Sequence, residues 1–143
     1  MELVLTLNTQ IARVNDALMA TLTLRNDSEA AVLVNTRLVV NRAGAPAGFR
    51  DVSFNVTGPD GEALPLAVKV NVGAPQPQHF QLLGPGESAT RTVELHRLFA
   101  LQKAGDYAIA AVYRAETDPA DGRSAWRGSI ESAAVGVRLE PAG

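Results

Sequence analysis

One stretch of the sequence decides the fold class, and it reads Leu18-Met19-Ala20-Thr21-Leu22-Thr23-Leu24-Arg25. Apolar residues occupy every even position from 18 to 24, and mostly polar residues occupy the odd positions between them. A period of two places alternate side chains on opposite faces of an extended chain. The pattern therefore predicts a β-strand with one buried face and one solvated face.

The same period recurs along the rest of the chain, in segments near residues 2–7, 52–57, 80–83, 93–95 and 107–114. Clusters of Gly, Pro, Asn and Asp separate these segments at short intervals. We count about eight or nine strands and no long helix. A spacing of i, i+3, i+4 at Leu95, Leu98 and Phe99 predicts at most a short helical turn near residues 95–102. This organisation predicts an all-β sandwich or barrel.

Four details of this assignment are less regular. A β-branched run predicts a strand over Val32–Val40, and Leu64–Val72 is a second strand region that Pro65 interrupts. Asn8–Asp16 is assigned to a connection. The last strand region is expected to run from Trp126 to about Leu139 with a kink near Gly128 or Gly136, because glycine in a strand often marks an irregularity.

Composition excludes several kinds of chemistry. The 143 residues suffice for a single domain over 1–143, and 46% of them are hydrophobic. There is no cysteine, which excludes disulfides, thiolate metal sites and a cysteine nucleophile. With 13 basic and 15 acidic residues the formal net charge is −2, which argues against a nucleic-acid-binding surface.

The chain lacks the residue patterns of an enzyme. Its two histidines, His79 and His96, have no third nitrogen or thiolate ligand to complete a zinc site. A Ser–His–acid triad drawn with Ser88 or Ser132 lacks the Gly-x-Ser-x-Gly turn that exposes such a nucleophile. We therefore predict no catalytic activity, no metal and no cofactor.

The amino terminus has no basic region followed by an apolar run of signal length, and no stretch approaches the ~20 apolar residues of a membrane span. As written, the chain is expected to be cytoplasmic and to have no membrane partner. If it is a domain excised from a longer precursor, the expected location is secreted or periplasmic.

A family resemblance begins at Leu101–Ile109, which reads Leu-Gln-Lys-Ala-Gly-Asp-Tyr-Ala-Ile. This segment resembles the entry to the sixth strand of immunoglobulin-like domains. The resemblance implies that Tyr107, two residues after Gly105, is a corner tyrosine whose hydroxyl bonds to upstream backbone. It also implies that Leu22 and Ile109 fill the place of the inter-sheet disulfide found in antibody domains.

A second set of segments extends the resemblance: Phe80–Ser88 with its Gly-Pro-Gly turn, then Gly105-Asp106-Tyr107 and Trp126–Ser132. Their order is similar to that of stand-alone bacterial immunoglobulin-like modules. Two such families are the intracellular proteinase inhibitors and the amino-terminal sandwich of deuterolysin-like metallopeptidases. The resemblance implies an immunoglobulin-like antiparallel β-sandwich of about 7–9 strands without cysteine.

These features together favour a non-catalytic interaction module that binds a protein partner through loops or a sheet edge. The first candidate surface is Ala74–His79, with Pro75, Gln76, Pro77 and His79, because proline keeps an exposed segment stiff. The second is the loop Ala43–Arg50. The third is the loop Glu116–Arg127, which carries Trp126 and Arg127.

Three alternatives remain open. A proteinase inhibitor would use an exposed, rigid segment, for which Gly73–Gln78 fits best, and the family resemblance also suggests a peptidase pro-domain or accessory domain. A carbohydrate-binding module would use Trp126. A homodimer through sheet edges is the third alternative, because nothing in the sequence blunts the first strand.

Overall fold

The computed structural model describes residues 1–142, and strands dominate them. In chain order the eleven strands are β1 (Glu2–Leu7), β2 (Ile11–Arg13), β3 (Met19–Arg25), β4 (Val32–Asn35), β5 (Val52–Thr57), β6 (Ala63–Leu64), β7 (Phe80–Leu83), β8 (Ser88–Glu94), β9 (Gly105–Ala115), β10 (Gly128–Glu131) and β11 (Val135–Glu140). A 3₁₀ turn forms at Pro77–His79, and the helix α1 at Leu95–Leu98 is one turn long. The predicted all-β class is confirmed, and the helical turn lies where its spacing predicts it.

The strands form three sheets, and nearly all of their pairings are antiparallel. The first sheet has the order β1-β3-β8, and the third consists of β4 and β7. The second has the order β2-β11-β9-β5-β6, and β10 pairs with the far end of β9 beyond β11. The eleven-residue β9 is therefore the centre of the second sheet, with β5 on one side and both carboxyl-terminal strands on the other.

The inward faces of β3 and β9 contribute to a single hydrophobic core. In β3 the buried residues are Ala20, Leu22 and Leu24, each with no exposed surface. In β9 the buried residues of the same cluster are Tyr107, Ile109, Ala111, Tyr113 and Ala115, and Ala110 and Val112 on the other face are buried as well. The alternation in the sequence thus gives the side of β3 that faces the core, whereas the middle of β9 is covered on both faces.

Two strands are shorter than predicted, and each ends for a local reason. β4 ends at Asn35, whose side-chain oxygen accepts a hydrogen bond from the Arg37 amide at 3.1 Å. Leu38 follows with a φ of 54°, a left-handed conformation that a regular strand does not contain. β6 ends at Leu64 because Pro65 has no amide hydrogen to continue the ladder.

Two further features differ from the sequence prediction. The connection Asn8–Asp16 contains β2, which pairs in parallel with β11. The last strand region is interrupted at residues 132–134 and not at a glycine. Glu131 pairs with Val112 and Val135 with Ile109, so that four steps on one strand match three on the other. One extra residue is accommodated there, which makes the interruption a β-bulge.

Among residues 1–142, no helix combines the length and the apolar character that a membrane crossing requires.

Candidate functional site

The three candidate loops, which are far apart in the sequence, are joined by side-chain contacts. Arg50 donates to both carboxylate oxygens of Glu116, at 2.8 and 3.1 Å, and thereby joins the loop 43–50 to the loop 116–127. Arg123 donates to the Pro77 carbonyl at 3.3 Å and joins that second loop to the proline-rich segment. The three loops therefore form one continuous surface, which we call the loop cluster (residues 43–50, 73–79 and 116–127).

The Arg50–Glu116 contact is electrostatically favourable as well as geometrically close. The Arg50 guanidinium holds the pKa of Glu116 below its ordinary value, chiefly through the two hydrogen bonds. Both side chains are about three-quarters covered, with 24% and 21% of their surface exposed. The contact is thus better shielded from water than an ordinary surface ion pair, and it fixes the relative position of the two loops.

A buried ion pair lies behind the loop cluster. Arg37 donates from Nε to Asp51 at 2.7 Å and from Nη2 to the other carboxylate oxygen at 3.0 Å. The Asp51 carboxylate also accepts hydrogen bonds from the Asn35 amide group at 2.9 Å and from the Val39 backbone at 3.2 Å. The exposed fractions of the two side chains are 10% for Arg37 and 3% for Asp51. Four hydrogen bonds compensate the carboxylate for its lost hydration.

Tyr113 connects this ion pair to the second sheet. Its hydroxyl donates to the Asn35 carbonyl at 2.7 Å, and the residue is completely buried. Burial raises the pKa of Tyr113 far above its usual value, and the negative charge of Asp51 acts in the same direction. The hydroxyl therefore remains a neutral donor and fastens the end of β4 to β9.

The proline-rich segment is held at both of its ends. Arg37 uses its remaining Nη1 to donate to the Gly73 carbonyl at 2.8 Å, and the Thr36 amide donates to the His79 carbonyl at 3.0 Å. Within the segment, the backbone amide of Gln76 donates to Nδ1 of His79 at 2.8 Å, and this hydrogen bond stabilises the 3₁₀ turn. Gln76 is exposed, while Pro75, Pro77 and His79 are half-buried. His79 therefore shapes the turn through its ring nitrogen and its carbonyl.

Trp126 is half-buried at the edge of the loop cluster. Its ring stacks on Tyr113 with ring centroids 6.1 Å apart, and its backbone amide donates to the Leu33 carbonyl at 2.8 Å. A Cβ added at Gly128 would lie 2.9 Å from the Trp126 ring, so that the absence of a side chain there leaves room for the indole. Trp126 is therefore packed against the fold on one side.

Arg127 is exposed and forms a double contact with Asp118, at 2.8 and 3.3 Å. The Ala125 amide donates to the same carboxylate at 3.0 Å. The Ala125 hydrogen bond is the main cause of the lowered pKa of Asp118, and the contact with Arg127 lowers it further. Asp118 thus serves as the internal brace of the loop 116–127.

The residues assigned to structural roles lie away from the loop cluster or beneath it. Leu22 and Ile109 are buried in the common core, with 0% and 1% of their surface exposed. Gly105 has a φ of 137°, and a Cβ there would lie 2.6 Å from Pro59, so that only glycine fits without rearrangement. The Tyr107 hydroxyl donates to the Lys103 carbonyl, four residues upstream, at 2.7 Å.

Removing the Tyr107 hydroxyl tests its contribution. Tyr107→Phe is expected to lower the free energy of unfolding by about 1 kcal/mol, because the Lys103 carbonyl loses its donor while the ring packing is kept. Urea denaturation followed by circular dichroism measures the change. An unchanged midpoint would show that this hydrogen bond contributes nothing to stability.

Three of the side chains singled out in the sequence, those of His79, His96 and Ser132, accept hydrogen bonds from backbone amides. Nδ1 of His96 accepts the Leu18 amide at 3.1 Å. The Ser132 hydroxyl accepts the Ala111 amide at 2.9 Å and stabilises the bulge between β10 and β11. Within the described residues, no three His, Cys, Asp or Glu side chains are grouped as metal ligands would be.

Sequence reasoning missed the residues at the centre of this region. The sequence shows that Asn35, Thr36 and Arg37 interrupt an apolar run. It does not show the partner of Arg37, which is Asp51, 14 residues further along the chain and beyond a loop. The interruption itself was the only available signal, since a polar group within a buried run needs a partner.

Fold and site together define an all-β protein in which the contacts of Arg50 with Glu116 and of Arg123 with Pro77 join three loops into one surface. A buried Arg–Asp pair holds one of these loops at Gly73. No family model matches the chain, and no curated protein is significantly similar to it.

Proposed function

We propose that this protein is an immunoglobulin-like β-sandwich that acts as a non-catalytic interaction module and binds a protein partner through the loop cluster. The observation that carries the proposal is the clamping of an exposed segment, residues 73–79, between Arg37, Thr36 and Arg123. A segment that is already ordered loses little conformational entropy when it binds.

The strand order supports the immunoglobulin-like assignment. In that fold, strands A, B and E lie in one sheet and strands C, F and G in the other. Here β1, β3 and β8 are neighbours in one sheet, and β5, β9 and β11 are neighbours in the other. The Tyr107 hydroxyl bond at the start of β9 also agrees with a corner tyrosine at the start of strand F.

The composition of the clamped segment supports a protein ligand. Its exposed positions include Ala74, Gln76 and Gln78, which carry no charge. The surrounding charges, Arg123 with Asp121 and Arg127 with Asp118, are paired within the loop cluster. A surface of uncharged residues with a rim of paired charges suits a protein contact better than a phosphate backbone.

Stiffness of the segment gives the test. The double substitution Pro75→Gly and Pro77→Gly is expected to weaken partner binding about tenfold. Each glycine makes the free segment more flexible, and ordering it on binding then costs about 0.7 kcal/mol more in conformational entropy. Immobilised wild-type and variant proteins are compared for capture of partners from an extract of the source cells, with quantitative mass spectrometry as the readout.

The matched control is Pro85→Gly, which changes an exposed proline in the turn before β8, outside the loop cluster. A partner recovered equally by wild type, control and double variant would contradict binding through the proline-rich segment. Equal thermal midpoints of the three proteins exclude loss of folding as the cause of reduced capture.

A proteinase inhibitor is the second candidate, and the same clamped segment favours it. An inhibitory loop must be exposed and held in an extended form by the scaffold, and Gly73–Gln78 is held at its first carbonyl by Arg37 and near its end by Arg123. If this candidate is correct, the wild type removes protease activity at near-stoichiometric concentration and the double variant does so less. No effect on a panel of serine, cysteine and metalloproteases would rule it out. A peptidase pro-domain or accessory domain, as the family resemblance suggests, would act through the same surface.

A further inference from the structure

Strand β8 lies at the edge of its sheet and has one free side. It pairs with β3 on one side, and no other described strand pairs with it. At the two ends of this ladder the Leu95 amide donates to Leu18 and the Asn26 amide donates to Glu87. Odd-numbered residues from 87 to 95 therefore direct their backbone groups to β3. The alternation of antiparallel pairing directs those of residues 88, 90, 92 and 94 outward.

The outward side of β8 borders an open groove of about 640 Å³. Its apolar lining consists of Met19, Val39, Val40, Val70, Val72 and Leu98, together with Val93 of β8 itself. The rise per residue of a strand, the distance between paired strands and the distance between packed sheets together define the volume that one extended residue occupies. The groove has the volume of roughly four such residues. The groove is thus large enough to hold about four residues of one extended strand.

The opposite wall of the groove also has free backbone groups. The Ala67 amide donates to the Leu98 carbonyl and the Gly73 carbonyl accepts from Arg37, and these two bonds fasten the ends of the segment 67–73. Between them, residues 68–72 form no backbone hydrogen bond with any described residue. Residues 70–72 line the groove, so an inserted strand that pairs with β8 would pack against them.

The charge at the groove is positive. Arg91 lies on β8 opposite Leu22, is exposed, and makes no ion pair within residues 1–142; its one hydrogen bond goes to the Arg37 carbonyl at 3.3 Å. Arg97 and Glu94 neutralise each other at 3.0 Å. An acidic side chain beside Arg91 would neutralise its positive charge.

We infer that this groove accepts an extended segment of a partner protein, which adds a strand to β8 and carries aliphatic side chains at alternate positions and an acidic residue beside Arg91. Such strand addition draws its affinity from main-chain hydrogen bonds and its specificity from alternate side chains. The uncompensated charge of Arg91 favours a segment with an acidic residue over a second copy of β8, which would bring a second arginine to the same edge. The inference rests on the proposed role as an interaction module, but it uses a surface distinct from the proline-rich segment.

The test uses a defined peptide, acetyl-Thr-Val-Thr-Val-Thr-Glu-Thr-amide, titrated into the whole protein and followed by amide NMR. We expect chemical-shift changes confined to residues 88–94 and 68–72, and slower hydrogen exchange at the amides of Thr90, Thr92 and Glu94. Arg91→Gln is expected to weaken binding about tenfold, whereas Arg138→Gln, an exposed arginine of β11, serves as the matched control.

A peptide with N-methyl groups on the alternate amides that face β8 cannot form the ladder and is expected not to bind, whereas a peptide methylated in the other frame keeps those amides and is expected to bind. Equal binding of the two methylated peptides, absence of any shift at millimolar peptide, or shifts confined to other surfaces would overturn the inference. So would a self-association of the protein that protects the β8 amides without peptide.

The Pro75→Gly and Pro77→Gly variant separates this inference from the proposed function. If this variant still binds the peptide, the groove is supported, whether or not partner capture is affected. If partner capture depends on the two prolines, the loop cluster is supported, whether or not the peptide binds.

Discussion

Replacing Asp51 by asparagine is expected to lower the free energy of unfolding by about 3–5 kcal/mol, the usual cost of breaking a buried ion pair from one side. The variant leaves the Arg37 guanidinium in a site where only 10% of its side chain is exposed, without a compensating charge. It also replaces the carboxylate by a side-chain amide. In the wild type that carboxylate accepts hydrogen bonds from the Asn35 side chain at 2.9 Å and from the Val39 backbone at 3.2 Å. Urea denaturation monitored by circular dichroism gives the difference.

Two controls make this result interpretable. Asp121→Asn removes an exposed carboxylate paired with Arg123 and is expected to change stability by less than about 1 kcal/mol. The double variant Arg37→Met and Asp51→Leu removes both charges and should recover much of the lost stability, because an uncharged pair needs no desolvation. Equal midpoints for Asp51→Asn and Asp121→Asn would show that the buried pair does not brace the fold.

The Asp51 variant also has a local consequence. Arg37 holds the Gly73 carbonyl, and the Asp51 carboxylate fixes the orientation of that guanidinium through two hydrogen bonds. Once the carboxylate is gone, the clamp on the proline-rich segment loosens. The network therefore links the stability of the fold to the shape of the proposed binding surface.

The second large effect is expected for Leu22→Ala, which should lower the free energy of unfolding by about 3–5 kcal/mol through lost burial and the cavity left behind. Leu22 is completely buried at the middle of β3, between β1 and β8. The total stability of a domain is about 5–15 kcal/mol, so that this single truncation removes a large share of it.

Two further variants check that burial is the cause. Ile109→Val removes one methylene from the facing sheet and should cost only about 1 kcal/mol. Leu82→Ala truncates a leucine with 67% of its surface exposed and should cost less than about 1 kcal/mol. If Leu22→Ala were as mild as Leu82→Ala, the core would not depend on this position.

The absence of cysteine gives these losses more weight. No disulfide joins the two main sheets, so that their faces are held together by non-covalent contacts in the core. A loss of core volume is then not offset by a disulfide that restricts the unfolded chain. In the immunoglobulin-like sandwich that we propose, Leu22 and Ile109 take the place of that disulfide.

Strands with a regular alternation could be predicted from the sequence because the signal is local. β3 alternates over seven residues and its buried face is the apolar one, whereas the middle of β9 is apolar and buried on both faces. β2 could not be predicted, since its three residues are held by pairing with β11, which lies more than 100 residues away. The bulge at Ser132 was missed for the same reason, because a change of register belongs to two strands.

The candidate site divides in the same way. Proline content and exposed loops singled out residues 74–79, 43–50 and 116–127, but not the contacts of Arg50 with Glu116 and of Arg123 with Pro77 that join them. Arg37 and Asp51 carry no sequence motif, and only their position in space makes them a pair.

The sequence by itself determined the all-β class and a core without disulfides, because both depend on side-chain alternation and on composition. Only the tertiary structure decided which charges are buried together, that three distant loops share one surface, and that β8 keeps a free edge beside an apolar groove. Hydrogen bonds and ion pairs act over a few ångströms, and here they join residues that are far apart along the chain. Only folding brings such residues within that distance of each other.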